Sequence, residues 1–363
     1  MRKKLRVGVL FGGVSGEHEV SLRSAASILE AIDRRTYFPI EIGISKTGKW
    51  YVGEGVLDYL SGKTDRLPEG CSACTFLPGQ PGRFLWLIKG GFPTDQALRV
   101  NIVFPVLHGT FGEDGTIQGL LEVAGIPYVG AGVAASAVGM DKAFMKDVFK
   151  THGLPILPYL VVRKPFAPDL EQRVGDTLGY PCFVKPANLG SSVGITRVET
   201  PEQLREALEH AATFDHKVLI EKAAVNCREI ECAVLGNDDP KASICGEIIP
   251  KRSFYDYEAK YITDDTELVI PADLPESIVR QIQDLAVKAF KAIDCSGMAR
   301  VDFFLCGDEI YVNEINTIPG FTSISMYPKL WEASGVSYPE LIHLLIKLGL
   351  ERHRKNRRLK RTF

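Results

Sequence analysis

Ala299-Arg300-Val301-Asp302-Phe303-Phe304 alternates, so on a strand Arg300 and Asp302 project from one face while Val301 and Phe303 project from the other. Val312-Asn313-Glu314-Ile315-Asn316 repeats the arrangement, with Glu314 and Asn316 sharing a face. Gly307-Asp308 between them reads as a hairpin turn, and a hairpin would place Glu314 and Asn316 opposite Asp302. Three oxygen ligands from two adjacent strands form a hard-cation site, because Mg²⁺ takes one or two protein carboxylates and completes its shell with phosphate oxygens and water. Arg300 beside them can neutralise a developing anion. The plainer reading is a surface hairpin with alternating charges. Against it stands Asn316-Thr317-Ile318-Pro319-Gly320-Phe321-Thr322, an irregular stretch whose backbone N–H groups could meet a negative oxygen.

Further upstream, Phe183-Val184-Lys185-Pro186-Ala187-Asn188-Leu189-Gly190-Ser191-Ser192-Val193-Gly194 is a strand ending in a lysine, followed by a loop of small residues. Such a loop can close over phosphates with N–H groups and hydroxyls while Lys185 supplies a point charge, or it is only a hairpin with a flexible tip. Val218-Leu219-Ile220-Glu221-Lys222 then offers an edge for an adenine, with Glu229 as a ribose acceptor. Two glycine-rich loops carry further candidates. In Gly12-Gly13-Val14-Ser15-Gly16-Glu17-His18-Glu19-Val20-Ser21, Glu17 could bind an ammonium group, or Ser15 or Glu17 could simply cap a helix. In Leu107-His108-Gly109-Thr110-Phe111-Gly112-Glu113-Asp114-Gly115, His108 sits at a strand-to-helix loop, where open α/β sheets bind ligands, or it is a satisfied loop histidine.

These loops need elements to hold them. A short apolar strand, residues 5–11, leads through the first glycine turn to a helix over 19–32, and strands follow at 37–44 and 100–107 with a helix at 115–124. The first part therefore reads as a parallel α/β sheet. Residues 45–98 form an insert rich in turn residues whose fold the sequence leaves open. A helical stretch runs from near Ala134 to about His152. Beyond it, strands at 159–162, 182–185, 194–198 and 217–222 with a helix at 201–212 form a smaller α+β unit. A third unit holds strands 229–235 and 243–249, a helix over 275–293 and the strand pair at 299–314. Domain boundaries are expected near 140 and 225, with a third unit to 350 and a basic tail over 351–363.

With 363 residues, 45% of them apolar and 24% charged, the chain can bury the cores of two or three units around one cleft. A formal charge of −2 supplies no global field toward nucleic acid or membrane. No run approaches the roughly 18 apolar residues of a membrane span, and the run after the basic start stops at Gly12-Gly13, too short for a signal peptide. A cytoplasmic protein is expected. The eight cysteines are scattered, as befits reduced, buried thiols, and Cys71-Ser72-Ala73-Cys74 lacks a second pair to complete a zinc site. Ser61-Gly62-Lys63-Thr64 fails as a P-loop because position 57 is Leu57 rather than glycine. Gly130-x-Gly132-x-x-Ala135 lacks the acid that a dinucleotide fingerprint needs about 20 residues on. The tail Arg352-His353-Arg354-Lys355-Asn356-Arg357-Arg358-Leu359-Lys360-Arg361 could meet an anionic surface, but a frayed helix end suits it better, since no aromatics interleave it.

The combined motifs closely resemble the D-alanine:D-alanine ligases of the ATP-grasp superfamily. The residues that carry this are Gly12-Gly13-x-Ser15-x-Glu17-His18-Glu19-Val20-Ser21, His108-Gly109-x-x-Gly112-Glu113-Asp114-Gly115, Met140-Asp141-Lys142, Lys185-Pro186 with Gly190-Ser191-Ser192, and Asn313-Glu314-Ile315-Asn316-Thr317, in that order. The resemblance implies an α/β ATP-grasp fold, in which an N-terminal parallel α/β domain is followed by two α+β units that sandwich ATP. It implies two steps: ATP phosphorylates the carboxylate of one D-alanine, and the amine of a second attacks the acyl phosphate. It also implies Mg²⁺ or Mn²⁺, a cytoplasmic homodimer, and no nucleic-acid or membrane partner.

By the same resemblance Glu17 orients the first ammonium, in contact with Ser191 and Tyr261, and His108 holds that first D-alanine. Lys142 and Lys185 bind phosphate, Glu221, Lys222 and Glu229 form the adenine and ribose site, and Lys260 joins the nucleotide-binding set. Asp302, Glu314 and Asn316 hold two Mg²⁺ ions, with Glu314 bridging. Arg300 and the Gly320 backbone stabilise the oxyanion, and Ser325 and Met326 receive the second carboxylate. Residues 254–264 read as a lid, and Tyr261 favours an amine nucleophile over D-lactate. The chain departs from the pattern at Ala187-Asn188-Leu189, at Met326 where leucine is usual, and in its basic tail. D-lactate or D-serine variants share the machinery. A nicotinamide oxidoreductase would leave Asp302, Glu314 and Asn316 without a use, and a nucleotide sensor would bind ATP without turnover.

Overall fold

A computed structural model of the chain describes residues 4–79, 84–250, 266–322 and 324–360. The first apolar run forms β1 (Leu5–Gly12), and Gly12, at φ +88°, turns the chain toward α1 (His18–Ala31). A Cβ there would lie 2.1 Å from the Ile44 carbonyl oxygen, so only glycine fits. β2 (Tyr37–Ile44) pairs parallel with β1 on one side, and β7 (Ile102–Pro105) on the other.

The insert supplies β3 (Trp50–Val52), α2 (Val56–Leu60), β4 (Ser72–Phe76), β5 (Phe84–Lys89) and β6 (Phe92–Arg99), giving the sheet order β6-β5-β4-β3-β2-β1-β7. The expected parallel sheet is therefore corrected to a mixed one, because every pairing from β2 out to β6 is antiparallel. Connections as short as Gly90-Gly91 between β5 and β6 cannot join parallel strands, which need a long crossover.

After β7 come α3 (Thr116–Val123), α4 (Val133–Met140) and α5 (Lys142–Thr151). The single helix read from near Ala134 to His152 is in fact two. Asp141 is extended, at φ −85° and ψ 99°, and its carboxylate accepts the N–H groups of Ala143 and Phe144. The cap stops one helix and starts the next.

A second sheet, ordered β10-β9-β11-β8, comprises β8 (Tyr159–Arg163), β9 (Cys182–Pro186), β10 (Thr196–Val198) and β11 (Lys217–Lys222). The helices α6 (Leu170–Thr177) and α7 (Pro201–Ala211) bury Leu170, Val174, Leu204 and Leu208 against Val184 and Ile220. The third sheet runs β14-β13-β12-β15-β16, from β12 (Arg228–Gly236), β13 (Lys241–Pro250), β14 (Thr266–Val269), β15 (Gly297–Cys306) and β16 (Glu309–Asn316). The helix α8 (Glu276–Ala292) covers one face, packing Ile282, Ala286 and Phe290 on Ile230, Val234, Val301 and Phe303. By strand alternation the opposite face carries Glu229, Glu231, Arg300 and Asp302, with Glu231 directly across from Asp302.

α9 (Met326–Ala333) and α10 (Tyr338–Asn356) bring the chain back to its start, where Tyr327, Leu330, Leu341 and Leu345 share a core with Val7, Phe11, Ile102 and Phe104. Each such leucine contributes about 1.5–3 kcal/mol on burial, so these helices bind the first and third sheets together. The tail is less frayed than expected. Arg352 donates to the carbonyls of Gly130 and Tyr128, reaches Ser296 Oγ at 3.1 Å, and lies 4.2 Å over the Tyr128 ring. The cysteines also differ from expectation: Cys227 and Cys306 are disulfide-bonded, their Cα atoms 4.3 Å apart. The pairing of β12 with β15 sets Arg228 across from Leu305 and so brings together two cysteines 79 residues apart. Cys71 and Cys74 are free, and burial pushes the Cys74 thiol up to about 12. Among the described residues no helix is long and apolar enough to cross a membrane.

Candidate active site

Three loops meet around a cavity of about 250 Å³ lined by Ser15, Glu17, Gly109, Thr110, Gly190 and Ser191, among others. The first loop is tied down by its own motif. Ser21 Oγ accepts the Gly12 N–H and donates to the Val106 carbonyl, the buried His18 donates Nδ1–H to the Gly13 carbonyl at 2.8 Å, and Ser15 Oγ donates to the His108 carbonyl at 2.8 Å. Glu17 is thereby held at the loop's end, with its N–H on Ser15 Oγ at 3.1 Å. Ser191 Oγ donates to Glu17 Oε1 at 2.5 Å from the loop after β9, where Ser191 and Ser192 take φ of 53° and 58°. Gly109 is glycine for a direct reason: a Cβ there would lie 2.6 Å from Glu17 Oε2. A carboxylate facing a small cavity, with a hydroxyl fixing its orientation, can receive a small ammonium group.

His108 does not line that cavity. It is 4% exposed, and burial lowers its pKa although the charge of Glu17 opposes the shift. The neutral ring donates Nδ1–H to the Ile318 carbonyl at 3.2 Å and accepts the Ser24 hydroxyl at Nε2, 3.0 Å away. Both nitrogens are used by the protein, so His108 supports Gly109 and Thr110 instead of presenting its ring to a ligand. Glu113, to which no role was given in the sequence, is the buried carboxyl of this loop. Its Oε2 accepts the Gly109 N–H at 2.8 Å, and burial followed by the Glu17 charge pushes it up to about 8. At neutral pH Glu113 keeps its proton.

Beside the cavity, Lys142 opens α5 and donates Nζ–H to the Leu189 carbonyl at 2.7 Å, with Glu314 Oε2 at 3.9 Å. Lys185 Nζ donates to Glu221 Oε2 at 2.6 Å, and Lys146 pairs with the other oxygen of Glu221. Glu221 and Lys146 are each 1% exposed. Burial opposes charge on Glu221, but the two ammonium groups outweigh it and hold the carboxyl near 2. The Glu221 side chain is thus a buried anchor for two lysines. Lys222 is exposed at the end of β11, and Glu229 is half-buried on β12. Lys146 was missed because a lysine inside a helical stretch reads as solvated.

On the third sheet, Asp302 faces Glu314 and Arg300 faces Asn316 in register. The turn alone would not do this. Cys306 pairs with Glu309 and Phe303 with Val312, so uninterrupted pairing would set Asp302 against Asn313 and turn Glu314 to the apolar face. One extra residue, Asn313, shifts the register between Phe303 and Asp302 and brings both carboxylates to one face. Arg300 Nε and Nη2 each donate to Asp302 at 2.7 Å, and Nε lies 2.9 Å from Glu231 Oε2. Burial would lower the guanidinium, yet Asp302 and Glu231 outweigh it and hold the charge firmly. Glu231 went unnoticed in the sequence, although it is two residues from Glu229 and hence on the same strand face.

Asn316 Nδ2 donates to Asp302 at 2.9 Å, which leaves its amide oxygen turned to act as an acceptor. Among the described residues no three His, Cys, Asp or Glu side chains are gathered to hold a metal. The set here, two carboxylates and an amide oxygen in strand register, suits a hard cation that shares phosphate oxygens and water. Next to it, Gly320 leaves room that a side chain would take from Ser325: a Cβ would sit 2.8 Å from Ser325 Oγ. Ser325 Oγ accepts the Thr322 N–H at 3.0 Å and precedes α9. The Met326 side chain is 4% exposed within the core, so only its backbone N–H, in the first turn of α9, can meet a carboxylate. Lys260, Tyr261 and the expected lid over 254–264 lie outside the described residues.

Comparison with known proteins matches residues 6–131 to the family described as D-ala D-ala ligase N-terminus and residues 148–347 to D-ala D-ala ligase C-terminus. The chain is 49% identical over 362 residues to a D-alanine–D-alanine ligase of Natranaerobius thermophilus, covering 98% of each. It is 51% identical over 372 residues to the ligase of Acetivibrio thermocellus, again covering 98% of each. Among solved structures, the D-alanine-D-alanine ligase from Coxiella burnetii superposes with a TM-score of 0.86 at 40% identity, over 98% of this chain and 96% of that one. A D-Ala:D-Ser ligase from Enterococcus faecalis gives 0.87 at 35% identity, over 96% and 100%.

Proposed function

The chain belongs to the D-alanine–D-alanine ligase family, and on that premise we propose how its residues carry the reaction. The fold is ATP-grasp, and the activity is the ATP-dependent joining of two D-alanines into D-alanyl-D-alanine for peptidoglycan synthesis. The chemistry sets the demand. Attack of a carboxylate on a triphosphate brings anions together, and each unit pair at about 4 Å costs roughly 4 kcal/mol at an effective dielectric near 20.

The reading rests on the cavity in which Glu17, oriented by Ser191, faces the loop that follows Lys185. Glu17 receives the ammonium of the first D-alanine and leaves its carboxylate directed toward the phosphates. Lys142 and Lys185 offset the triphosphate charge, with Lys185 held by Glu221. Asp302, Glu314 and Asn316 would hold the two Mg²⁺ or Mn²⁺ ions, which when bound would neutralise charge on the transferring phosphoryl group. Arg300 and the Gly320 N–H stabilise the oxyanion formed when the second amine attacks. Ser325 and the Met326 N–H receive the second carboxylate. On the family resemblance Glu221, Lys222 and Glu229 would serve the adenine and ribose, Lys260 would join the nucleotide-binding set, and Tyr261 would share the contact between Glu17 and Ser191.

A tyrosine at position 261 accords with D-alanine as second substrate, and D-serine and D-lactate are the competitors to be measured beside it. The proposal extends, on the family resemblance, to a cytoplasmic homodimer organised as units 1–140, 141–225 and 226–350. Glu17→Gln tests the assignment. The KM for D-alanine should rise at least tenfold while ATP binding holds, because a charge-assisted contact contributes about 1.5–3 kcal/mol. An unchanged D-alanine KM would remove Glu17 from the substrate site.

A further inference from the structure

The run Asp215-His216-Lys217 lines no part of the cavity, yet two of its side chains reach both of the pieces assigned to phosphate. Asp215 Oδ2 accepts the backbone N–H of Asn188 and its side-chain Nδ2–H, each at 2.8 Å, while Oδ1 accepts the Lys217 N–H at 3.0 Å. Asn188 is the foot of the loop that bears Ser191, and it is one of the residues by which this loop departs from the family pattern. Lys217 reaches the other way. Its ammonium pairs with Asp141 and lies 3.8 Å over the Phe144 ring. Both charged groups are buried, at 6% and 5% exposure.

Asp141 is the cap of α5, and the first residue of α5 is Lys142. The backbone closes the arrangement: the Lys142 N–H donates to the Ala187 carbonyl at 2.9 Å, and the Ala187 N–H donates to the Lys217 carbonyl at 3.0 Å. Lys142 and the loop come from segments more than forty residues apart, and Leu189 accepts from Lys142 Nζ across a separation of 47. Their mutual position therefore depends on what joins α5 to the foot of the loop. A buried ion pair adds little net stability over well-packed apolar residues, but one that cannot shift without stranding a charge fixes register.

We propose that Asp215 and Lys217 are positioning residues for nucleotide binding, one turn that clips the phosphate loop through Asn188 and Lys142 through Asp141. ATP then meets a preset cradle, and ordering of the loop is not charged against its affinity. The proposal rests on reading Lys142 and this loop as phosphate-binding.

The test measures ATP binding to the full chain by calorimetry, with Mg²⁺ and without D-alanine, beside KM and kcat for both substrates. The variants are Lys217→Met, Asp215→Asn and Asn188→Ala, with Lys142→Ala as control. Lys217→Met should weaken ATP binding about tenfold and leave the D-alanine KM unchanged, as loss of a charge-assisted contact would. Asn188→Ala, on an exposed loop foot, keeps the proposal testable if Lys217→Met fails to fold; it should weaken ATP binding severalfold. Variants that lose thermal stability while binding ATP like the parent overturn the clip. If Lys142→Ala also binds ATP like the parent, the phosphate reading has failed, and the clip falls with it.

Discussion

Replacing Arg300 with Met is the perturbation whose consequence the geometry fixes most closely. The guanidinium donates twice to Asp302 at 2.7 Å and lies 2.9 Å from Glu231, a residue that faces Asp302 across the strand pair. Without it Asp302 and Glu231 lose the guanidinium that both contact. Removing one partner of a buried pair costs about 3–5 kcal/mol. Urea unfolding without metal should therefore show a loss of about 3–5 kcal/mol. Added Mg²⁺ should restore part of this loss in the variant, because a divalent ion on Asp302 supplies the missing charge. ADP release should fall by about 10²–10³, the usual effect of losing an oxyanion donor. A variant as stable as the parent within about 0.5 kcal/mol, or one whose deficit Mg²⁺ leaves untouched, would refute the reasoning.

Three further predictions follow from other parts of the site. Glu314→Ala should largely abolish turnover with the fold intact, since Glu314 is the carboxylate that faces Asp302 and approaches Lys142; turnover at the parental rate without added metal would sink the cation assignment. Glu113 has a folded value near 8 against an ordinary 4.5. Between these values the fold holds a proton that the unfolded chain has released, so its contribution is fully present below about 4.5 and is lost as pH rises to about 8. Glu113→Gln should flatten the fall in stability between pH 5 and 8, by at most about 1.4 kcal/mol per pH unit, in a series of urea midpoints; an unaltered slope contradicts it. Tyr261→Phe should raise mixed ester formation relative to dipeptide when D-lactate competes with D-alanine, and an unchanged product ratio would count against that role.

The loops were legible because their chemistry is written in short runs. Glu17, Lys185 and the loop that bears Ser191 could be named from such runs, Lys142 only from the family resemblance, and the structure brings Glu17 and Ser191 to 2.5 Å across 174 residues. What stayed hidden depends on register and burial, which no local run encodes. The hairpin argument reached Glu314 and Asn316, but simple pairing parity puts Glu314 on the wrong face; the extra residue Asn313 rescues it. The break at Asp141 was invisible because helical periodicity continues through it, whereas the lysine that anchors its carboxylate lies 76 residues away. That the side chains of Glu221 and Met326 are buried is likewise not written in their local runs, because it depends on what packs against their elements. The insert over 45–98 carried turn residues without clear periodicity, and its strands are specified by neighbours instead of by their own alternation. Cys227 and Cys306 meet only because β12 and β15 pair.

The most direct test of the whole account is ADP release with ATP and Mg²⁺, run with no acceptor, with D-alanine, with L-alanine, and with D-alanine plus D-lactate or D-serine, with products weighed by mass spectrometry. The account predicts ADP release that depends on D-alanine, and a product with the mass of D-alanyl-D-alanine from D-alanine alone. ADP release indifferent to the amino acid, or a product that forms only with D-lactate or D-serine as the second substrate, would contradict it.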